Sequence, residues 1–338
     1  MLPGLERAVV LAAGEGTRLR PLTLSRPKHV IPVAGRPLIG WLMEDLSRVG
    51  VERVCVVVHY RAGQIEGYLG RGEEFGLEVE YARQEVPRGT GDALEAAASC
   101  VGSESFLLVY GDVATEPRAF EGVAREFSAR RADAAVLGIE VSRPWEYGVL
   151  KLGEGGVLEG VVEKPKPGSE PSRLVNGGVY AFTPKIFDAL GEVEFSPRGE
   201  RELTDALRVL ASRGVVVVYH ARGIWWRDVG RPWDLLDANE HYLGRMERGS
   251  REGISGALVD ESRGAVVVEE GARVCGGAKL VGPCYIGRES LIESGARVGP
   301  CASLGERVEV GAGSVAVSYT HLRAHETEAD LVCRLLLE

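Results

Sequence analysis

The sequence lacks any long hydrophobic run: none of its apolar stretches approaches the ~20 residues that a membrane-spanning helix needs. The first residues also lack a basic segment followed by a long apolar stretch, so we expect no signal peptide. Positive charge is in deficit, with 40 Lys and Arg against 49 Asp and Glu, which argues against a nucleic-acid or anionic-membrane binder. A pocket for a small polyanion is still allowed, because it needs only a few aimed cations. We therefore expect a cytoplasmic protein without nucleic-acid or membrane partners.

The six cysteines form no CxxC pair and no cluster with histidine of the kind that holds zinc. Reduced thiols are the favoured interpretation, and a disulfide of the kind found in hyperthermophile cytosol stays the alternative. At 338 residues the chain is long enough for two domains, taking ~150 residues per domain. Its composition, 45% hydrophobic and 26% charged, is that of a globular protein.

The first ~245 residues alternate β-branched runs with helical stretches, and the residues of 37–49 have apolar side chains at helical spacing. Continuous apolar strands separated by helices predict a mainly parallel sheet covered on both faces. Ligands of such sheets lie beyond the carboxyl ends of the strands, which places the loops after Ala13 and Tyr110 at the ligand-binding edge. The predicted strands are 8–13, 54–58, 106–110, 134–139 and 215–219.

From about residue 258 an aliphatic side chain recurs every six residues. A six-residue period fits neither a helix nor a flat strand and is typical of a β-helix, in which the aliphatic residue points inward. Eight such positions predict just under three coils. They are Val268, Val274, Leu280, Ile286, Ile292, Val298, Leu304 and Val310.

Residues 318–338 do not follow this register. One interpretation is a closing helix that caps the coil, since solenoids need caps. The other, which we favour, is foreign or frame-shifted sequence attached to a truncated β-helix. We assign no chemistry to this tail.

Two segments at the predicted sheet edge carry cations. Gly14 and Gly16 follow the first strand and let the backbone approach phosphate oxygens, and Arg18 offers a forked cation. Leu19 stands where a dinucleotide fingerprint has its third glycine, and no Walker lysine follows. Lys28 lies in a loop fixed by three prolines. The simpler alternatives are an ordinary turn at Gly14 and Gly16 and a solvated side chain at Lys28. Because Arg18 and Lys28 are expected at the same edge, we favour a phosphate clamp formed by the two cations.

Three further segments are compatible with a nucleotide and its metal. Gln84 precedes Gly89 and Thr90, which either open an ordinary helix with Thr90 as N-cap or let a base lie on bare backbone. Asp112 and Asp228 each follow apolar or aromatic runs, and each alone is a turn or cap candidate. Two carboxylates converging beside a triphosphate would hold Mg²⁺.

In order and spacing across residues 8–240, these segments resemble the sugar-1-phosphate nucleotidylyltransferase family. The run from Trp226 to Leu236, with Asn239 after it, is similar in particular to the archaeal bifunctional type, in which a left-handed β-helix follows the enzyme domain. The resemblance implies an α/β fold: a Rossmann-like nucleotidyltransferase domain with a mainly parallel sheet over 1–245, a linker over 246–257, a short left-handed parallel β-helix over 258–317, and the tail of uncertain origin over 318–338.

The resemblance also implies roles for individual residues. Arg18 and Lys28 match the catalytic cations, and Asp112 and Asp228 match the pair that binds Mg²⁺. His29 departs from the family, many members of which have alanine or proline there. The nucleotide-binding positions are Leu11, Gly14, Gly16, Thr17, Gln84, Gly89 and Thr90. The sugar-binding positions are Tyr147, Gly148, Glu163, Lys164 and Asn176.

The implied reaction joins a nucleoside triphosphate to a sugar-1-phosphate and releases pyrophosphate, without a protein nucleophile. UTP or dTTP with glucose- or N-acetylglucosamine-1-phosphate is the default expectation. The alternatives are a mannose-1-phosphate guanylyltransferase and a catalytically idle regulatory paralogue. A hexapeptide acyltransferase is disfavoured because residues 258–317 contain no histidine to act as a base. We expect a homo-oligomer, with the coil as a trimerisation or packing module or as the remnant of a longer transferase.

Overall fold

The computed structural model describes residues 4–196, 199–247, 249 and 253–317. By its internal contacts the chain divides into two compact units, Met1–Ile31 with Leu38–Asp228, and Pro32–Pro37 with Val229–Glu338. The tail 318–338, interpreted above as either a closing helix or foreign sequence, lies outside the described residues. The domain limits 1–245, 246–257 and 258–317 stay a prediction.

Up to Arg245 the described chain alternates strands with helices, as the apolar runs indicate. The strands are β1 (Arg7–Ala12), β2 (Pro32–Val33), β3 (Arg36–Pro37), β4 (Arg53–Val58), β5 (Glu78–Arg83), β6 (Phe106–Tyr110), β7 (Val113–Thr115), β8 (Ala134–Glu140), β9 (Gly148–Leu152), β10 (Leu158–Glu163), β11 (Leu174–Phe182), β12 (Val216–Ala221) and β13 (Trp226–Asp228). The α-helices are α1 (Leu38–Arg48), α2 (Ala62–Leu69), α3 (Thr90–Ala96), α4 (Ala98–Val101), α5 (Pro117–Ala129), α6 (Lys185–Gly191), α7 (Leu203–Ala211) and α8 (Pro232–Arg245).

The first unit is built on a nine-stranded sheet in the order β10-β9-β11-β6-β1-β4-β5, with β8 between β11 and β12. The pairs β1–β4, β1–β6, β4–β5 and β8–β12 are parallel, whereas β11 runs antiparallel to β6 and β8. Alternate residues of β1 enter opposite cores: Val10 packs in one cluster, and Val9 and Leu11 in the other. Burial on both faces is why these strands are continuously apolar. The predicted Rossmann-like fold is confirmed.

The carboxyl ends of β1 and β6 meet at one edge of this sheet. Leu11 is in register with Tyr110, and the Gly111 amide donates to the Leu11 carbonyl at 2.9 Å. A Cβ on Gly111 would lie 2.9 Å from that same oxygen, so the approach depends on glycine. The two loops predicted to form the ligand-binding edge are therefore adjacent.

The second unit contains a parallel β-helix. Its strands within the described residues are β14 (Leu258–Asp260), β15 (Val266–Val268), β16 (Arg273–Val274), β17 (Lys279–Val281), β18 (Cys284–Ile286), β19 (Leu291–Ile292), β20 (Arg297–Val298), β21 (Ala302–Leu304), β22 (Glu309–Val310) and β23 (Val315–Ala316). They form three parallel sheets, β14-β17-β20-β23, β15-β18-β21 and β16-β19-β22. Of the eight predicted inward positions, seven are buried and Leu304 is half-buried. The predicted parallel β-helix is confirmed.

Asn239, part of the segment that resembles the bifunctional type, has a structural role within this unit. Its Oδ1 accepts from the Ala34 amide at 2.9 Å, and its Nδ2 donates to the Cys301 carbonyl at 3.0 Å. One side chain on α8 thus ties the β2–β3 hairpin to the coil. Gly35 in the hairpin has φ +76°, and a Cβ there would lie 2.3 Å from the ring of Tyr285.

No helix in the described part of the chain combines the length and apolarity required to cross a membrane.

Candidate active site

The loop after β1 is shaped by Gly16. This residue has φ +70° and precedes a short 3-10 helix, Thr17–Leu19, and its carbonyl accepts from the Thr23 hydroxyl at 2.9 Å. A Cβ on Gly16 would lie 3.0 Å from Cβ of Lys28, and one on Gly14 would lie 3.6 Å from Cε of Lys28. The glycines therefore provide both the left-handed turn and the groove in which the lysine stem lies.

Lys28 and Asp112, 84 residues apart, form an ion pair through Nζ and Oδ2. Their side chains retain only 12% and 15% of their exposure. Burial alone would raise the pKa of the Asp112 carboxyl, but the Lys28 ammonium beside it holds that pKa below its usual value. The pair places a cation and a carboxylate together at the carboxyl edge of β1 and β6.

His29 lies beneath this pair and is 1% exposed. Burial, reinforced by the Lys28 charge, lowers its pKa to about 3, so the imidazole is neutral. Its Cδ2 would be 3.0 Å from a Cβ on Gly111. At this position, where many family members have alanine or proline, His29 is a buried residue that packs under the loop carrying Asp112.

Asp228 approaches the same place on a second pair of strands. It ends β13 and is in antiparallel register with Val113, the residue after Asp112. Two carboxylates are thus carried at neighbouring positions of paired backbone, and carboxylate oxygens are the ligands that Mg²⁺ prefers. Within the described ranges no group of three or more His, Cys, Asp or Glu side chains could hold a metal. The pair fits a cation that keeps water or phosphate oxygens as its other ligands.

Arg18 and Thr17 lie in the 3-10 helix after the glycine loop, and both are exposed. Among the described residues the Arg18 side chain makes no hydrogen bond or ion pair. Lys28, by contrast, is already engaged with Asp112. The two-cation clamp stays a prediction.

The predicted base loop is held by hydrogen bonds of its own. Gln84 is 4% exposed, and its Nε2 donates to the Gly89 carbonyl at 3.1 Å and to Asp92 at 2.8 Å. Gly89 has φ +97°, and a Cβ there would lie 2.6 Å from the Arg201 carbonyl. That carbonyl accepts from the Gly91 amide at 2.9 Å. The Cβ side of Gly89 thus faces the Arg201 segment, and the binding of a base to this loop stays a prediction.

Thr90 is the first residue of α3, and Gly89 is the N-cap. The alternative interpretation of Thr90 as N-cap is therefore wrong. The Thr90 hydroxyl instead donates to Glu202 at 2.7 Å and accepts from the Leu203 amide at 2.9 Å. Sequence reasoning missed Arg201 and Glu202, because no motif marks them and they lie over 110 residues from the loop that they support.

The predicted sugar residues Tyr147, Gly148, Glu163 and Lys164 lie together. Gly148 pairs with Glu163 across β9 and β10, and a Cβ on Gly148 would lie 2.8 Å from Oε1 of Glu163. The Lys164 amide donates to the Tyr147 carbonyl at 3.0 Å. Surrounding protein desolvates the Glu163 carboxyl and raises its pKa, although a hydrogen bond with Thr204 acts in the opposite direction.

Asn176 lies on β11, where the register with β8 shifts between Asn176 and Tyr180. Its Nδ2 donates to the Tyr180 hydroxyl at 2.6 Å, and its Oδ1 accepts from the Gly178 amide at 3.2 Å. Gly178 has φ +70°. The carboxamide is thus fixed by an irregularity in the strand.

Trp226 connects the predicted sugar residues to the carboxylate pair. It begins β13, two residues before Asp228, and its Nε1 donates to the Gly177 carbonyl at 2.8 Å. Its ring packs edge-on against Tyr147, with centroids 5.7 Å apart. Trp226 is 7% exposed, so it is a core residue whose ring also forms a wall beside Tyr147. One strand therefore carries both the wall and a metal-ligand candidate.

Comparison with known proteins identifies the class of the chain. The family model described as Nucleotidyl transferase matches residues 7–245. A glucose-1-phosphate thymidylyltransferase of Streptomyces griseus is 35% identical over 303 residues, covering 89% of this chain and 82% of its own. The bifunctional protein GlmU of Methanococcus maripaludis is 35% identical over 267 residues, 78% of this chain and 61% of its own.

Several curated relatives are longer than this chain, which spans between 60% and 66% of their length. Among solved structures, a putative glucose-1-phosphate thymidylyltransferase from Bacillus anthracis superposes with a TM-score of 0.65 at 28% identity. That match covers 72% of this chain and 97% of the other. The family model spans well over half of the sequence and includes every residue of the site described above. The predicted enzyme class, sugar-1-phosphate nucleotidyl transfer, is thereby confirmed, and the chain belongs to the nucleotidyl transferase family.

Proposed function

We propose that this chain transfers a nucleotidyl group from dTTP or UTP to glucose-1-phosphate or N-acetylglucosamine-1-phosphate, forming an NDP-sugar and pyrophosphate. The observation that carries the proposal is the Lys28–Asp112 pair lying across the Gly14–Gly16 loop, with Asp228 on the adjoining strand. The choice of substrates is supported by relatives such as the thymidylyltransferase of Streptomyces griseus and a GlmU protein.

In this proposal an oxygen of the sugar phosphate attacks the α-phosphorus of the triphosphate. The new O–P bond forms as the bond to the β-phosphate oxygen breaks in line, so the electron pair leaves with pyrophosphate. Lys28 and Arg18 bind the phosphate oxygens and neutralise charge that develops there. Asp112 and Asp228 would hold Mg²⁺, which supplies further neutralisation at the phosphates when bound. No side chain forms a covalent bond to the nucleotide.

The remaining residues orient the two substrates. The Gly89 backbone, with Gln84 and Thr90 around it, offers a surface against which a planar base lies. On the other side Glu163 accepts hydrogen bonds from sugar hydroxyls, Lys164 binds the sugar phosphate, and Asn176 contacts a ring substituent. Positioning of this kind supplies much of the barrier reduction in phosphoryl-type transfers.

The test is pyrophosphate release by the full chain with Mg²⁺, four nucleoside triphosphates and four sugar phosphates, compared with the same reactions in EDTA. We expect turnover with dTTP or UTP and a glucose-type phosphate, and none in EDTA. Turnover with GTP and mannose-1-phosphate alone would establish the alternative guanylyltransferase. Absence of turnover with every pair would establish an idle paralogue and refute the proposal.

For the second unit we infer a packing module without acetyltransferase activity, in a cytoplasmic homo-oligomer based on trimers. Residues 258–317 contain no histidine that could act as a general base, and Leu258 and Val315 are 67% and 64% exposed on its surface. Acetyl-CoA consumption with glucosamine-1-phosphate tests the first point, and light scattering of the full chain tests the second. Measurable acetyl transfer, or a monomer, would contradict the inference.

A further inference from the structure

Cys55 and Cys100 meet within the first unit. Their sulfur atoms are 2.6 Å apart, although the residues are 45 positions apart in the chain. Cys55 is a buried residue of β4, and Cys100 lies half-buried on α4. Both sulfurs are present as free thiols. Because non-bonded sulfurs do not normally approach so closely, the two side chains are already arranged as a reactive dithiol rather than as two separate core residues.

From this juxtaposition we propose that Cys55 and Cys100 are a disulfide-forming pair that staples α4 to the central sheet. The electron acceptor is a low-molecular-weight disulfide. The Cys100 thiolate attacks one of its sulfurs and expels the first small thiol. The Cys55 sulfur then loses its proton and attacks the Cys100 sulfur, expelling the second. Two protein thiols and one small disulfide thus become one protein disulfide and two small thiols.

The surroundings favour Cys100 as the first nucleophile. It borders an open cavity of about 350 Å³, lined also by Arg7, Glu80 and Glu104, whereas Cys55 is 1% exposed. The hydrogen bond from the Cys55 thiol lowers the pKa of Cys100, while that hydrogen bond and burial raise the pKa of Cys55. A small disulfide therefore reaches the sulfur that more readily becomes a thiolate.

The position of the pair indicates a structural role. Cys55 is in register with Val9 on β1 and Glu80 on β5, in the first half of parallel strands whose carboxyl ends carry the proposed active site. Beside it, the Arg7 guanidinium donates to the Cys100 carbonyl and pairs with Glu104 at 3.1 Å. The disulfide would hold α4 against this end of the sheet without reaching the residues that bind substrate.

The experiment treats the reduced full chain with oxidised glutathione at neutral pH, followed by mass spectrometry and non-reducing peptide mapping. The proposal expects loss of two thiols, no retained glutathione at these two residues, and a peptide linking Cys55 to Cys100. The Cys55→Ser variant should instead retain one glutathione on Cys100. The matched control, Cys275→Ser on the half-buried β-helix cysteine, should still form the link.

The linked chain should melt ~5–10 °C above its reduced form, because a bond across 45 residues restricts the unfolded state. Its rate of pyrophosphate release should be unchanged, so this test is independent of the proposed function. Unreacted thiols, a stable glutathione adduct on wild-type Cys100, or a link between other cysteines would each overturn the proposal. If the oxidised form melted no higher than the reduced form, the proposed stabilisation by the Cys55–Cys100 disulfide would be refuted.

Discussion

The Lys28–Asp112 pair allows one perturbation to be worked through in detail. Lys28→Met keeps the aliphatic stem that lies over Gly14 and Gly16 and removes the ammonium. Asp112, whose side chain is 15% exposed, then loses its counter-ion. Removing one partner of a buried ion pair costs about 3–5 kcal/mol, and partial exposure of both groups puts this pair at about 2–3 kcal/mol. We therefore expect a melting temperature lower by about 4–10 °C.

The same variant should lose activity for a different reason. A cation aimed at developing phosphate charge contributes on the order of 10²–10³ in kcat, so pyrophosphate release at saturating substrates should fall by about that factor. The double variant with Asp112→Asn removes the unpaired carboxylate. It should regain most of the lost melting temperature while remaining inactive. Stability and catalysis are thereby separated in one series.

Lys151→Met is the matched control, because Lys151 pairs with Glu159 at 3.0 Å but both side chains are largely exposed. Exposed pairs contribute ~0–1 kcal/mol, so its stability and activity should remain close to those of the wild type. Scanning calorimetry and a coupled pyrophosphate assay measure the two quantities. If Lys28→Met melted like the wild type, or if the double variant turned over normally, the reasoning about this pair would be refuted.

Three other predictions concern the same site. Gly148→Ala places a Cβ 2.8 Å from the Glu163 carboxylate, so KM for the sugar phosphate should rise about tenfold or more. Gly160→Ala, which meets no atom within 4 Å, should not change it; equal values would contradict the crowding argument. Gly89→Ala, at φ +97°, should strain the base loop by about 1–3 kcal/mol and raise KM for the nucleotide in steady-state kinetics, and an unchanged KM would exclude the loop from nucleotide binding. Because Asp112 has a lowered pKa when folded, its stabilisation is complete above the unfolded value of ~3.9 and is lost as the pH falls through the folded one. Asp112→Asn should flatten that acid-side decline in melting temperature, and an unaltered decline would show that the carboxyl does not contribute.

Local pattern was sufficient for much of the fold. The five apolar runs are all strands, because burial on both faces leaves no polar alternation in them. The six-residue period predicted the β-helix, since each inward position repeats with the coil. By contrast, β11 and its antiparallel pairing carried no such signal. Its register is broken near Asn176, and a left-handed glycine at 178 interrupts it. The direction of a strand in the sheet is decided by tertiary packing.

The site was predictable as separate loops and not as an arrangement. The residue types at Gly16, Lys28 and Asp112 indicated phosphate and metal chemistry, but nothing in their spacing shows that the lysine and the aspartate touch. The support of Thr90 by Glu202 spans 112 residues and depends on where α7 begins. Contacts of this kind follow from the assembled sheet, which brings distant loops to one edge.

The pairing of Lys28 with Asp112 also explains how the proposed nucleotide and metal site can stay folded before its ligands bind. A buried Lys28 or Asp112 without an opposite charge beside it would oppose folding. In the buried ion pair each group has such a partner. In the proposed function, phosphate oxygens would become partners of Lys28 and Mg²⁺ would become a partner of Asp112. Each group thus exchanges one opposite charge for another, and no unpaired charge has to be buried at any stage. On this argument Lys28→Met should weaken nucleotide binding less than it lowers kcat, because it removes the competitor for Asp112 together with the phosphate contact. Calorimetric titration with nucleotide and Mg²⁺ decides the point: an equal loss in affinity and in rate would show that Lys28 does not compete for Asp112.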